Sequence, residues 1–181
     1  MKNLYEETIS SEMIYKGKVV NLRRDKARLQ NGSEVTREVV EHPGGVAVAA
    51  FVGDDLLLVR QFRYAPKKVL LEIPAGKLNY GEDPLHCGRR ELEEETGYQA
   101  DEFISLGKML PTCAYDEEVI HMYLARGLHK THQHLDEDEF LDVEPIPFQK
   151  LVDMVLANEI EDGKTQIMIL KLKLLKDMGK L

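Results

Sequence analysis

Gly76–Tyr98, GKLNYGEDPLHCGRRELEEETGY, carries Arg90-Glu91-Leu92-Glu93-Glu94-Glu95, four carboxylates and one guanidinium within six residues. The stretch is punctuated as a helix. Asp83 is an N-cap residue, Pro84 suits the first helical position and Gly97 stands where helices stop, so the spacing predicts a helix from Pro84 to Thr96. Leu85, Gly88 and Leu92 recur at steps of three and four and form its buried stripe, with Gly88 allowing a close approach. At about 100° per residue, Glu91, Glu94 and Glu95 fall on neighbouring turns, where like charges destabilise a helix by about 0.2–0.5 kcal/mol per pair. A hard divalent cation offsets this repulsion. Mg²⁺ and Mn²⁺ select carboxylate oxygen and water, and Mg²⁺ is commonly shared with substrate phosphates, which points to a phosphate-bearing substrate. The competing reading is a solvated helix laced with Glu–Arg pairs.

The residues around the run decide between the two. Gly76-x5-Glu82-x7-Arg90-Glu91-Leu92-x-Glu94-Glu95-x-Gly97-Tyr98 resembles the signature of the Nudix hydrolase family at every fixed position. The resemblance implies a strand-loop-helix unit in which Glu91, Glu94 and Glu95 bind the catalytic cations, Mg²⁺ or Mn²⁺. Glu82 lies nearby, and Arg90 orients carboxylates through its fork of donors. It further implies that the backbone carbonyl of Ala75 joins the metal ligands, and that the substrate is a nucleoside diphosphate linked to another group.

The likeness extends to the ADP-ribose pyrophosphatase subgroup through Arg37–Val46 (REVVEHPGGV), Gln61-Phe62-Arg63-Tyr64 and Leu71–Gly76 (LEIPAG). By that likeness Arg63 and Arg37 contact the diphosphate or terminal ribose, Arg37 reaching across a dimer, and Glu72 accepts hydrogen bonds from substrate. Glu118 holds the terminal sugar. In the acidic loop after the sheet, Glu137 and Glu139 match the glutamate that activates water. One departure stands out: Thr112-Cys113-Ala114 replaces a Ser-Pro-Gly-like turn, and Ala114 enters φ > 0 less readily than glycine. This keeps another nucleoside diphosphate sugar, such as GDP-mannose, as an alternative substrate. A non-catalytic sensor of ADP-ribose on the same fold is a further alternative, against which the complete glutamate set speaks.

Composition agrees with a globular enzyme. The 181 residues are 43% hydrophobic, enough for a packed core. A net charge of −8 and a pI near 5.3 argue against a nucleic-acid partner, which favours a basic face. The start, MKNLYEETISSEM, lacks an apolar signal core, and no run approaches the roughly 20 apolar residues of a membrane span, so the expected location is the cytoplasm. Two cysteines, Cys87 and Cys113, have no zinc spacing and read as reduced thiols.

Along the chain, strands are expected at Glu12–Tyr15, Val19–Leu29 and Glu34–Glu41, with Asn31-Gly32 as a hairpin turn. They mix Val and Leu with many charges and bury little alone. Residues 1–42 therefore lean on something else, either as a meander packed on its own domain or, as the resemblance to ADP-ribose pyrophosphatases implies, as a separate N-terminal antiparallel sheet exchanged across a homodimer, with 43–181 as the hydrolase domain. GGVAVAAF and LLLVRQFR are near-continuous apolar runs around Gly53-Asp54-Asp55, which predicts strands covered on both faces. Later strands are expected at Ile104–Leu110, Val119–Ala125 and Leu141–Ile146, then helices over Pro147–Ala157 and Thr165–Asp177. The last of these has Ile167, Leu170, Leu174 and Leu175 at helical spacing. The expected architecture is an α/β/α sandwich with a mixed sheet, and the expected reaction is hydrolysis of ADP-ribose to AMP and ribose 5-phosphate.

Overall fold

A computed structural model of the chain describes residues 4–137 and 139–181. Asp138, within the acidic loop expected over the site, lies outside the described residues. The chain forms two compact units, Met1–Gly44 with Leu110–Val119, and Gly45–Met109 with Ile120–Leu181. The first unit thus includes ten residues from the middle of the chain besides the N-terminal segment.

In the first unit β1 (Glu7–Lys16), β2 (Asn21–Arg28) and β3 (Glu34–Glu41) form an antiparallel sheet in that order. Asn31-Gly32 makes the expected turn, Gly32 at φ 84° and its N–H donating to the Leu29 carbonyl at 2.9 Å. Every residue of β1 is exposed, among them Ile9, Met13, Ile14 and Tyr15. Charge fills the place of a core: Arg23 donates to Asp25 at 3.0 Å, Glu41 at 2.9 Å and Glu117 at 2.6 Å. The 110–119 segment docks on β3 through its backbone, with Val40 N–H donating to Tyr115 O at 2.7 Å and Glu117 N–H to Val40 O at 3.0 Å.

In the second unit β4 (Gly45–Val52), β5 (Asp55–Arg63), β8 (Tyr98–Met109), β9 (Ile120–Lys130) and β10 (Leu141–Pro147) run in the order β10-β5-β4-β9-β8. The β4–β9 pair is parallel and the others are antiparallel, so the sheet is mixed. Side chains of β4 alternate between faces. Ala47 and Ala49 pack in the larger core beneath α2 (Phe148–Leu156) and α3 (Gly163–Asp177), while Val48 and Ala50 join Leu57 and Leu92 beneath α1 (Pro84–Thr96). Helices on both faces make the α/β/α sandwich. They also explain the unbroken apolar run, since Gly45–Ala50 is buried on both sides.

The strands β4 and β5 pair only beside their hairpin, at Phe51–Leu56 and Val52–Asp55. Beyond it they part. β6 (Lys68–Glu72) pairs with β5 and β7 (Ala75–Lys77) pairs with β4, and Pro74 bridges them with its carbonyl accepting from Val48 N–H at 2.8 Å. Glu72 ends one short strand and Ala75 begins the other, so this split in the sheet delivers the chain to α1.

The last helix turns inward a stripe other than Ile167, Leu170 and Leu174. Thr165, Met168, Ile169 and Leu172 are its buried residues, whereas Ile167, Leu170 and Leu174 are exposed and Leu175 is partly buried. The helix is apolar on two stripes, and helical spacing alone fits either. The Thr165 hydroxyl accepts from the Ile73 backbone N–H at 2.8 Å, and that buried bond turns the 165–168–172 stripe inward. Other bounds shift by a few residues: β8 and β9 are longer than expected, Pro147 caps α2 and Gly163 starts α3.

Candidate active site

Three local features fix α1. The Asp83 carboxylate accepts from His86 N–H at 2.9 Å, Gly88 is buried facing Val48 and Tyr123, where an added Cβ would make only ordinary contacts of 3.5 Å, and Gly97 adopts φ 69° at the C-cap. Leu92, fully buried, then sets the rotation, so Glu91 and Glu95 point toward the sheet split. Glu95 is 1% exposed and accepts from Ala75 N–H at 2.9 Å. Glu91 lies directly against Gly76: a Cβ there would stand 1.8 Å from the Glu91 Cδ. The glycine is needed for that close approach.

Burial pushes Glu91 up to about 7, against the pull of Arg90, and pushes Glu95 up to about 8 against the Ala75 hydrogen bond. Glu139 adds to both shifts through its negative charge, so these three carboxylates feel one another. Arg90 spans the outer side, bonding Glu82 at 3.2 Å, Glu91 at 2.8 Å and Glu94 at 2.7 Å. A cleft on that flank is lined by His86, Arg89, Arg90, Glu94 and His134.

The acidic loop starts on α1 itself. The helix's last carbonyls lack helical partners. Thr131 N–H donates to Gly97 O at 2.8 Å, His134 N–H to Glu94 O at 3.1 Å and the Gln133 amide to Glu95 O at 2.6 Å. Of the two loop glutamates expected to activate water, Glu139 is partly buried and accepts from Gln61 Nε2 at 3.0 Å, while Glu137 is exposed.

Arg63 and Glu72, both expected at the substrate, meet each other across β5 and β6. The Arg63 fork donates through Nε at 2.6 Å and Nη2 at 2.8 Å to the two oxygens of Glu72, which is 1% exposed. Lys164 also donates to Glu72. Burial alone would raise Glu72, but Arg63 and Lys164 outweigh it and hold the carboxylate below its ordinary range. With both oxygens already engaged, Glu72 braces Arg63 and leaves Nη1 outside this pair. Lys164 and Gln61 were not anticipated from the sequence; the period-2 alternation that puts Gln61 and Arg63 on the face of Leu57 was the available signal. Arg37 and Glu118 belong to the first unit. There Arg37 grips Glu6 through two bonds of 3.0 Å, and Glu118 stands 3.4 Å from His42 Nδ1.

Residues 41–168 match the NUDIX domain, and residues 6–40 match the nucleoside diphosphate sugar hydrolase N-terminal domain. The chain belongs to the Nudix hydrolase family. Relatives include an ADP-ribose pyrophosphatase of Bacillus subtilis, 39% identical over 177 residues and 96% of both chains. A methanol dehydrogenase activator of Bacillus methanolicus is 41% identical over 178 residues, also 96% of both. A GDP-mannose pyrophosphatase of Yersinia enterocolitica is 34% identical over 155 residues, 78% of this chain and 80% of that one. The crystal structure of an ADP compounds hydrolase shares the fold with a TM-score of 0.86 over 100% of both chains at 20% identity.

Nudix hydrolases generally use divalent metal ions. The donor set of this Nudix helix fits one: it is all oxygen, and it forces buried carboxylates together without a full complement of positive charge. Among the described residues, no three His, Cys, Asp or Glu side chains are already arranged as a ligand set. No helix among the described residues is long and apolar enough to cross a membrane.

Proposed function

We propose that this Nudix hydrolase cleaves the diphosphate of ADP-ribose with Mg²⁺ or Mn²⁺, adding water across the P–O–P bridge to give AMP and ribose 5-phosphate. The observation that carries the reading is the convergence of Glu91, Glu95 and Glu139 beside Arg63 in one unit, with two of the three carboxylates driven upward by burial. The full-length relative named ADP-ribose pyrophosphatase supports the choice of substrate.

Glu91, Glu94, Glu95 and the Ala75 carbonyl would hold the cation, whose chemistry is to neutralise the diphosphate oxygens and so favour attack. Arg63, braced by Glu72, offers the Nη1 that lies outside that pair to a diphosphate oxygen. Glu139 takes the proton from the attacking water, with Glu137 as the competing base. Arg37 would contact the diphosphate or terminal ribose and Glu118 would hold the terminal sugar, in a homodimer formed by exchange of the N-terminal sheet. The exposed apolar residues of β1 support that exchange. The enzyme would work in the cytoplasm.

GDP-mannose is the second reading, favoured by the Thr112-Cys113-Ala114 turn and by relatives named GDP-mannose pyrophosphatase. A panel of ADP-ribose, GDP-mannose and other nucleotide sugars with Mg²⁺ or Mn²⁺, monitored for released nucleoside monophosphate, tests both. AMP release from ADP-ribose that stops on chelation is the expected result. Preferential GMP release from GDP-mannose would replace the first reading by the second.

A further inference from the structure

On β5, Leu57 is buried beneath α1, and the period-2 alternation carries that face onward through Val59 and Gln61 to Arg63. Gln61 is thus a polar side chain on a core-facing register, two residues from the arginine proposed to meet the diphosphate. Its amide Nε2 donates to Glu139 Oε1 at 3.0 Å across 78 residues of sequence. Its backbone also pairs with Leu141, two residues past Glu139. The loop's other end is tied to α1 by Thr131, Gln133 and His134. Among the described residues, the Gln61 amide is the only group that hydrogen-bonds the Glu139 side chain.

We propose that Gln61 is a positioning residue: it clasps Glu139 by one oxygen and aims the other at the attacking water. This rests on the reading of Glu139 as the base. The choice of side chain follows from the task. An arginine or lysine here would engage both carboxylate oxygens and compete with water for them. A neutral amide on a strand fixes the direction of Glu139 with one donor and leaves Oε2 open. Glu139 sits on a loop beside two other carboxylates, whose repulsion would otherwise swing it away.

The test compares the parent with Gln61→Met, Gln61→Glu, Glu139→Gln and the Gln61→Met/Glu139→Gln double variant on ADP-ribose. Mn²⁺ affinity is followed by EPR, and folding by thermal denaturation. Gln61→Met is expected to keep Tm and Mn²⁺ affinity and to lose about tenfold to hundredfold in kcat with KM within about twofold. Gln61→Glu should lose more, since carboxylate then faces carboxylate. Adding Gln61→Met to Glu139→Gln should cost nothing further, because the residue acts through Glu139. Parental kcat in Gln61→Met, additive losses in the double variant, or a fall in Mn²⁺ affinity overturns the proposal. Full turnover by Glu139→Gln would remove the base assignment and the proposal with it. A parent inactive on ADP-ribose marks failure of the substrate reading instead, and the same cycle on the nucleotide sugar it does cleave then decides Gln61.

Discussion

Glu95 combines two properties that seldom coexist in a carboxylate: it is almost wholly buried, and its own negative charge faces those of Glu91 and Glu139. Glu95→Gln removes the buried charge while its amide oxygen can still accept from Ala75 N–H. The substitution should therefore preserve the fold and lower kcat by orders of magnitude; steady-state kinetics with unchanged turnover would take Glu95 out of the site. The same burial gives a pH dependence. Glu95 and Glu91 have folded-state pKa values raised from 4.5 to about 8 and about 7, so the folded state holds their protons longer than the unfolded chain does. Their stabilising contribution is complete below about pH 4.5 and is lost as pH rises through 7 and 8. Metal-free protein should accordingly show a falling Tm between pH 5 and pH 8 relative to Glu95→Gln under the same conditions, measured by calorimetry. Mn²⁺ at pH 8 should raise the parental Tm and leave Glu95→Gln much less affected, since a ligand that binds only the folded state stabilises it.

At the scale of elements, α1 and the acidic loop act as one device joined at Gly97. The glycine's φ of 69° ends the helix, and a Cβ there would stand 2.8 Å from Gln133 N. Gly97→Ala therefore strains the cap and pushes the loop off the helix carbonyls. It should lower stability by about 1 kcal/mol or more and also cut kcat, whereas Asp83→Ala at the opposite end should lower stability by about 1 kcal/mol with kcat nearly intact. Chemical denaturation and kinetics on both variants separate the two effects. Within the loop, Glu139→Gln should slow turnover far more than Glu137→Gln, because only Glu139 is tied to β5 and felt by the buried carboxylates. Equal losses would contradict the division of labour between them.

For the whole molecule, the unsolved apolar surface is in the first unit, where β1 buries none of its residues. A three-stranded sheet whose interior is an Arg23 ion network has little hydrophobic gain with which to offset its ordering. Covering Ile9, Met13 and Tyr15 with a second copy would supply it. Gel filtration at micromolar concentration should give a dimer, and Met13→Glu should shift it toward monomer while lowering Tm. A parent that elutes as a monomer would end the exchange proposal.

The signature helix was readable in the sequence, because Asp83, Pro84 and Gly97 act through local backbone chemistry that needs no neighbours. The both-faces burial of β4 and of Leu56–Val59 in β5 was readable too, since unbroken apolar runs have no solvated solution, whereas the end of β5 departs from it, with Arg60 and Phe62 exposed. What only the tertiary structure decided were pairings between distant residues: the α3 stripe turned inward by Thr165 meeting Ile73, the docking of 110–119 on Val40, the bracing of Arg63 by Glu72 and Lys164, and the Gln61 clasp on Glu139. Each joins segments whose separation in sequence carries no periodic signal, and each is selected by the need to satisfy a buried or half-buried polar group once the sheet has brought it there.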